Sequence, residues 1–181
     1  WIAFESEADN LTGDDSNANT DVFLYDRLGQ SPLTRVSASP LGLRFDDRSY
    51  FACISGDGRY VGFASIGGLV SGDRNNADDV YVYDRVSSTL ERVSITTGGA
   101  SSNGDSSFAT ISGDGRYVTF ETTAANLIGA TSSSVQVVVR DRTSRTTTLV
   151  SKTTTGAPAD SNCYSPGTSS DGRFTVFITD S

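Results

Sequence analysis

The chain has 181 residues, a formal net charge of −8 and no histidine. The acidic balance excludes the basic footprint that nucleic-acid binding needs, and the missing histidine removes a Ser-His-Asp triad, histidine-based zinc or iron, and imidazole acid–base work. With 36% hydrophobic residues and no apolar run long enough to cross a bilayer, the composition agrees with a soluble domain.

In chain order, the first segments are WIAFES at 1–6, an Asn/Asp-rich loop TGDDSNANTD at 12–21, VFLYDR at 22–27 and LTRVS at 33–37. The next stretch opens on SGDGRYV at 55–61 and repeats the series as RYVGFAS, SGDRNNADD, VYVYDR and LERVS. SGDGRYV then returns at 112–118, followed by RYVTFET, IGATSSS, VQVVVRDR and TTLVS. SSDGRFT at 169–175 starts a last copy that runs to FTVFITDS. Gly58, Gly115 and Gly172 are spaced by 57 residues, and so are Ser37, Ser94 and Ser151. Two landmarks with one period define a copied structural unit.

Each unit holds four short runs of Val, Phe, Tyr and Thr bounded by Gly, Asn, Asp and Ser, with no sustained helical period, which predicts an all-β chain. The only helical candidate, residues 7–11, is too short. In the middle copy strands are expected at 59–65, 79–85 and 89–95, with the next inner strand starting near Ser106. Asp57-Gly58 supplies the hairpin turn, as do Asp114-Gly115 and Asp171-Gly172, because glycine tolerates positive φ and aspartate bonds its own backbone. VYVYD and VQVVV are apolar at nearly every position, so both faces of the sheet must be covered. A four-stranded antiparallel unit buried on both faces is a propeller blade, whereas a sandwich buries one face and a parallel β-helix has a much shorter period.

The Ser-x-Asp-Gly-Arg-aromatic-Val-x-Phe signature resembles the TolB-type, WD40-like (PD40) β-propeller repeat, and the Gly-Asp-x-Asn-x-x-x-Asp-Val-x-x-Tyr-Asp-Arg segment is similar to a bacterial subgroup of it. The resemblance covers nearly the whole chain and implies a β-propeller segment with an incomplete ring: a partial blade at 1–50, blades at 51–107 and 108–164, and a partial blade at 165–181. Closing a ring of about 4 to 8 such blades takes roughly 230 to 450 residues. The chain is therefore expected to be a segment of a longer protein, with a ring of several chains or an open stack as alternatives. Its terminal half-blades need a partner, either further blades or neighbouring chains.

Asp15, Asn17 and Asp21 in the first copy match Asp73, Asn75 and Asp79 in the second. Alternating Asp-x-Asn oxygens suit a hard cation such as calcium, with Asn19 or the Ala77 carbonyl adding to each set. The same residues also build Asx-turns with no metal. The third copy has Ala130, Thr131 and Ser132 to Ser134 there, so any ion site is lost. The recurrent Asp-Arg pairs at 26–27, 84–85 and 141–142 appear in every copy, so a turn carboxylate with an arginine along the blade, or pairing between blades, is expected rather than catalysis. Tyr25, Tyr81 and Tyr83 are read as blade packing, and Arg140 replaces a tyrosine, as an exposed edge or a local salt bridge.

Cys53 and Cys163 would sit two blades apart, beyond the reach of a disulfide, and read as small buried hydrophobes. Asn10-Leu11-Thr12 fits the N-glycosylation pattern. Neither a catalytic centre nor a phosphate cradle is expected. The family resemblance, the acidity and the Ser/Thr-rich loops favour a protein of the cell surface, extracellular space or periplasm. Two roles follow: a non-catalytic scaffold binding a protein or cell-surface glycan or forming part of a surface assembly, or the propeller domain of a larger, peptidase-like hydrolase whose catalytic residues lie outside this segment.

Overall fold

The computed structural model describes residues 1–15, 17–39, 47–73, 75–129 and 134–180. The first sheet is β1 (Ile2–Ser6), β2 (Asp21–Tyr25) and β3 (Thr34–Arg35). The second is β4 (Ser49–Ile54), β5 (Tyr60–Ser65), β6 (Asp79–Asp84) and β7 (Thr89–Arg92). The third is β8 (Ser106–Ile111), β9 (Tyr117–Thr122), β10 (Gln136–Asp141) and β11 (Thr146–Leu149), and the last is β12 (Cys163–Thr168) with β13 (Thr175–Thr179). All neighbours pair antiparallel in sequence order.

The Asp-Gly turns form for a local reason. Asp57 accepts hydrogen bonds from the Ser55 hydroxyl and, at 2.9 Å, from the Arg59 amide, while Ser55 Oγ accepts the Tyr60 amide at 2.9 Å. Gly58, at φ 69, then donates to the Ser55 carbonyl at 2.9 Å and closes the hairpin between β4 and β5. Asp114 and Asp171 repeat the arrangement before β9 and β13.

Burial on both faces of each sheet shows most clearly in β6. Tyr81 packs toward the first sheet with Val22, Leu24, Val36, Phe63 and Leu69, whereas its chain neighbours Val80 and Val82 pack toward the third with Val118, Phe120 and Val138. Successive side chains on a strand point to opposite faces, so each sheet is sandwiched between its neighbours. Full burial of a side chain of this size stabilises by about 1.5–3 kcal/mol. The first strands of successive sheets, β4, β8 and β12, lie side by side. The result is a β-propeller segment with two four-stranded blades between a three-stranded and a two-stranded sheet, and the described residues form no closed ring.

One turn differs from the expectation of a helix-free chain. α1 (Ala125–Ile128) follows β9, with Leu127 and Ile128 buried and Gly129, at φ 80, donating to the Ala125 carbonyl. Two adjacent apolar side chains and a glycine stop are enough for a single turn, whereas residues 7–11 are not helical.

Candidate functional site

The repeated motifs first fasten blade to blade. The Trp1, Tyr60 and Tyr117 side chains lie against Gly58, Gly115 and Gly172 of the following blade, and a Cβ at Gly115 or Gly172 would overlap the tyrosine ring. The arginines of the second and third Asp-Arg pairs finish the joint. Arg85 lies 4.2 Å over the Trp1 ring and bonds the Gly58 carbonyl at 3.2 Å; Arg142 lies 4.3 Å over Tyr60 and bonds the Gly115 carbonyl at 2.5 Å. The paired aspartates turn inward on their own blade: Arg59 grips Asp84 at 2.9 and 2.7 Å, and Arg116 grips Asp141 at 3.0 and 2.7 Å. These guanidinium bonds hold both carboxyls well below the usual carboxylate range. Arg140 is buried, at 5% exposure, bonding the Thr96 carbonyl at 3.3 Å and the Thr147 hydroxyl at 3.0 Å. It is thus an inter-blade clasp rather than an exposed edge, and burial pulls its pKa down.

The residues of each Asp/Asn loop lie together, but in the first and second sheets an arginine from the last strand reaches into the loop. Arg92 Nη1 lies 3.0 Å from Asp73 Oδ1 and 3.2 Å from Asp79 Oδ2, with all three side chains under 10% exposed. Asp79 also accepts bonds from the Ser94 hydroxyl, from the Ser102 hydroxyl at 2.7 Å and from Asn75 Nδ2 at 3.1 Å. The other Asp73 oxygen accepts the Tyr81 hydroxyl. Asn75 Oδ1 is committed to the Ala77 amide at 3.2 Å, so the side chain turns its NH2 toward the carboxylate. An ion binding here would meet donors rather than bare oxygens.

The first loop is built alike. Arg35 Nη1 is 3.1 Å from Asp21 and 3.6 Å from Asp15, Asn17 Nδ2 bonds Asp21 at 3.1 Å, Asn19 caps Asn17 Oδ1 at 2.9 Å, and the Ser37 hydroxyl donates to Asp21. Phe23 stands where the second blade has Tyr81, so Asp15 has no matching phenol. Burial and the nearby Asp21 raise its pKa, partly opposed by Arg35. The third blade replaces the set as a unit: Gln136 stands for the aspartate and Leu149 for the arginine. Ser151 now donates to Gln136 Oε1 at 2.7 Å, while Gln136 Nε2 bonds the Ala159 and Ser161 carbonyls at 3.1 and 3.2 Å. Ala130, Thr131 and Ser132 lie outside the described residues. Among the described residues no group of three or more His, Cys, Asp or Glu side chains is arranged to hold a metal. The arginines escaped the reading of the loops in isolation, yet Arg35, Arg92 and Leu149 vary in step with Asp21, Asp79 and Gln136.

A second feature lies on the innermost strands. β4, β8 and β12 each carry a bulge, and Phe51, Phe108 and Ser165 occupy it at φ 58, 49 and 52. Holding non-glycine residues there costs roughly 1–3 kcal/mol each. The Phe51 and Phe108 rings stack with centroids 3.6 Å apart, and Phe108 is 42% exposed. Beside them is a cavity of about 340 Å³ lined by Cys53, Phe108, Ala109, Thr110, Ser165 and Pro166, among others. Two carboxylates pin its ends from the preceding blades: Glu5 accepts the Ala52 amide at 2.9 Å and Glu121 the Ser165 amide at 2.6 Å. Cys53 and Cys163 are both free thiols, and burial pushes the Cys53 thiol up to about 12. The row keeps the 57-residue period, but phenylalanine gives no signal for the positive φ.

Radial sheets built this way also occur in solved β-propellers. They include TolB from Agrobacterium tumefaciens, with TM-score 0.59 and 16% identity over 91% of this chain and 47% of that chain. They include the tricorn protease, with TM-score 0.54 and 15% identity over 89% of this chain and 13% of that chain. At such identities the likeness is one of fold, and the chain spans less than half the length of either protein. No protein-family model and no curated protein matches the sequence. No helix among the described residues is long and apolar enough to cross a membrane.

Proposed function

We propose that the chain is a non-catalytic propeller scaffold of the cell surface, extracellular space or periplasm, and that it binds a protein through the face formed by its first strands. The supporting observation is the row of bulged residues on β4, β8 and β12, where the stacked Phe51 and Phe108 sit in costly backbone conformations and Phe108 stays exposed. Strain maintained at one position of three successive blades points to a surface kept for recognition. The strongly paired ionisable groups, Asp84 with Arg59 and Asp141 with Arg116, recur blade by blade as fasteners, which favours a scaffold over a single reaction centre. For the loops at Asp15, Asn17 and Asp21 and at Asp73, Asn75 and Asp79, the proposal makes a guanidinium the resident cation in place of calcium.

A photo-crosslinking residue at position 108, compared with one at the outer-turn position Val86, tests the binding face in the native host. The scaffold reading expects one protein adduct at 108 that unlabelled protein competes away, and none at 86. Equal labelling at both positions, or a glycan adduct alone, would overturn protein binding at this face. The second reading, a propeller domain of a larger hydrolase with its reactive residues elsewhere, is favoured by the fold shared with the tricorn protease. Peptide hydrolysis by the polypeptide purified at its native mass would support that reading.

A further inference from the structure

Phe51, Phe108 and Ser165 are one structural position read along three blades, the bulge of the innermost strand. The first two hold rings stacked at 3.6 Å with 25° between their planes. The third holds a hydroxymethyl group, so the stack stops one ring short. The cavity of about 340 Å³ runs along the three bulges and reaches that step, with Phe51 to Cys53, Phe108 to Thr110, Ser165 and Pro166 as its lining. A closed apolar cavity of about 150 Å³ suffices for benzene, and drug-sized ligands need about 300–1,000 Å³. The space is therefore large enough for one aromatic side chain.

The walls are fixed before anything enters. Ser165 is pinned by Glu121, and the Thr110 and Thr168 hydroxyls bond across β8 and β12 at 3.1 Å. The carboxylates of Glu5 and Glu121 stand directly behind Ala52 and Ser165, both cavity residues, in a chain of net charge −8. That charge favours a cationic neighbour for the entering ring.

We propose that the step between Phe108 and Ser165 is a slot for one aromatic side chain, carried beside a basic residue on an extended segment of a partner protein. The ring would continue the stack already formed across the β4–β8 joint, offset-stacked on the part-exposed Phe108. This inference rests on the scaffold reading of the same face and sharpens it.

The test is an amide-resolved NMR titration of the protein with the peptide Ac-Lys-Trp-Lys-NH2 against Ac-Lys-Leu-Lys-NH2. The slot predicts saturable shifts at Phe108 and Ser165, with the tryptophan peptide binding about tenfold tighter than the leucine peptide. Ser165→Phe, which completes the stack internally, should weaken the tryptophan peptide about tenfold with the melting temperature kept. If that variant fails to fold, Phe108→Leu, which keeps an apolar wall but removes the ring, should level the two peptides. Equal affinities for both peptides, or undiminished tryptophan binding by the variant that folds, would overturn the slot. A competed adduct at position 108 alongside such a result would leave the scaffold reading standing, so the two fail separately.

Discussion

The Tyr60 ring lies against the Gly115 turn of the next blade, and Arg142 covers the same ring at 4.3 Å. One aromatic thus ties its own second strand, the neighbouring hairpin and the neighbouring third strand. Gly115 has φ 73, and a methyl group there would overlap the ring. Gly115→Ala combines left-handed strain with displacement of Tyr60 and should destabilise by about 3 kcal/mol, read as a lower urea midpoint. Gly156→Ala, also at positive φ but with nothing within 4 Å, should cost only the backbone strain.

Arg92 between Asp73 and Asp79 makes a sharp forecast about metal. Calcium at saturation should leave the melting temperature unchanged, since a native-state ligand must stabilise by mass action. Arg92→Leu alone strands two buried carboxylates and should cost about 3–5 kcal/mol. Adding Asp79→Gln and Asp73→Ala, which copies the third blade, should restore most of that loss. Calcium-dependent stabilisation of the unmodified protein would show instead that the loops prefer the metal.

The Asp84–Arg59 and Asp141–Arg116 pairs set an acid response. Both carboxyls are depressed in the fold, so their contribution is fully present above the unfolded value of about 3.9 and is lost as pH falls below it toward the folded value. Asp84→Asn with Asp141→Asn should flatten the decline of melting temperature below about pH 4. The amplitude will be modest and salt-sensitive, because both arginines are 41% exposed.

Glu121 fixes the bulge of the following blade through the Ser165 amide. Glu121→Ala leaves that amide without its acceptor and should cost about 1–3 kcal/mol, with faster hydrogen exchange at Ser165. Glu121→Gln keeps an acceptor oxygen and should preserve the protection. Equal exchange in both variants would remove Glu121 as the anchor.

What the sequence discloses follows the range of the interactions. Asp57, Ser55 and Gly58 build their turn from groups within five residues, so the motif and its 57-residue period read directly as a hairpin repeated. Burial on both faces was equally plain in Val80, Tyr81 and Val82, and it led to blades. The arginine closure was harder to see because Arg92 and Asp79 are 13 residues apart and meet only through strand pairing. The signal was present in the matched loss of both in the third copy. The bulge row at Phe51, Phe108 and Ser165 keeps the period, but its positive φ is not written in residues that are not glycine. α1 was missed because one helical turn has no period to detect.

The most direct test of the radial packing is the NMR signature of the blade joints. Gly115 and Gly172 Hα resonances should be shifted upfield by the Tyr60 and Tyr117 rings and show nuclear Overhauser contacts to them. Tyr60→Leu should abolish the shift at Gly115 and leave Gly172 untouched. Unshifted glycine resonances with no contact to either ring would contradict blades that seal one another.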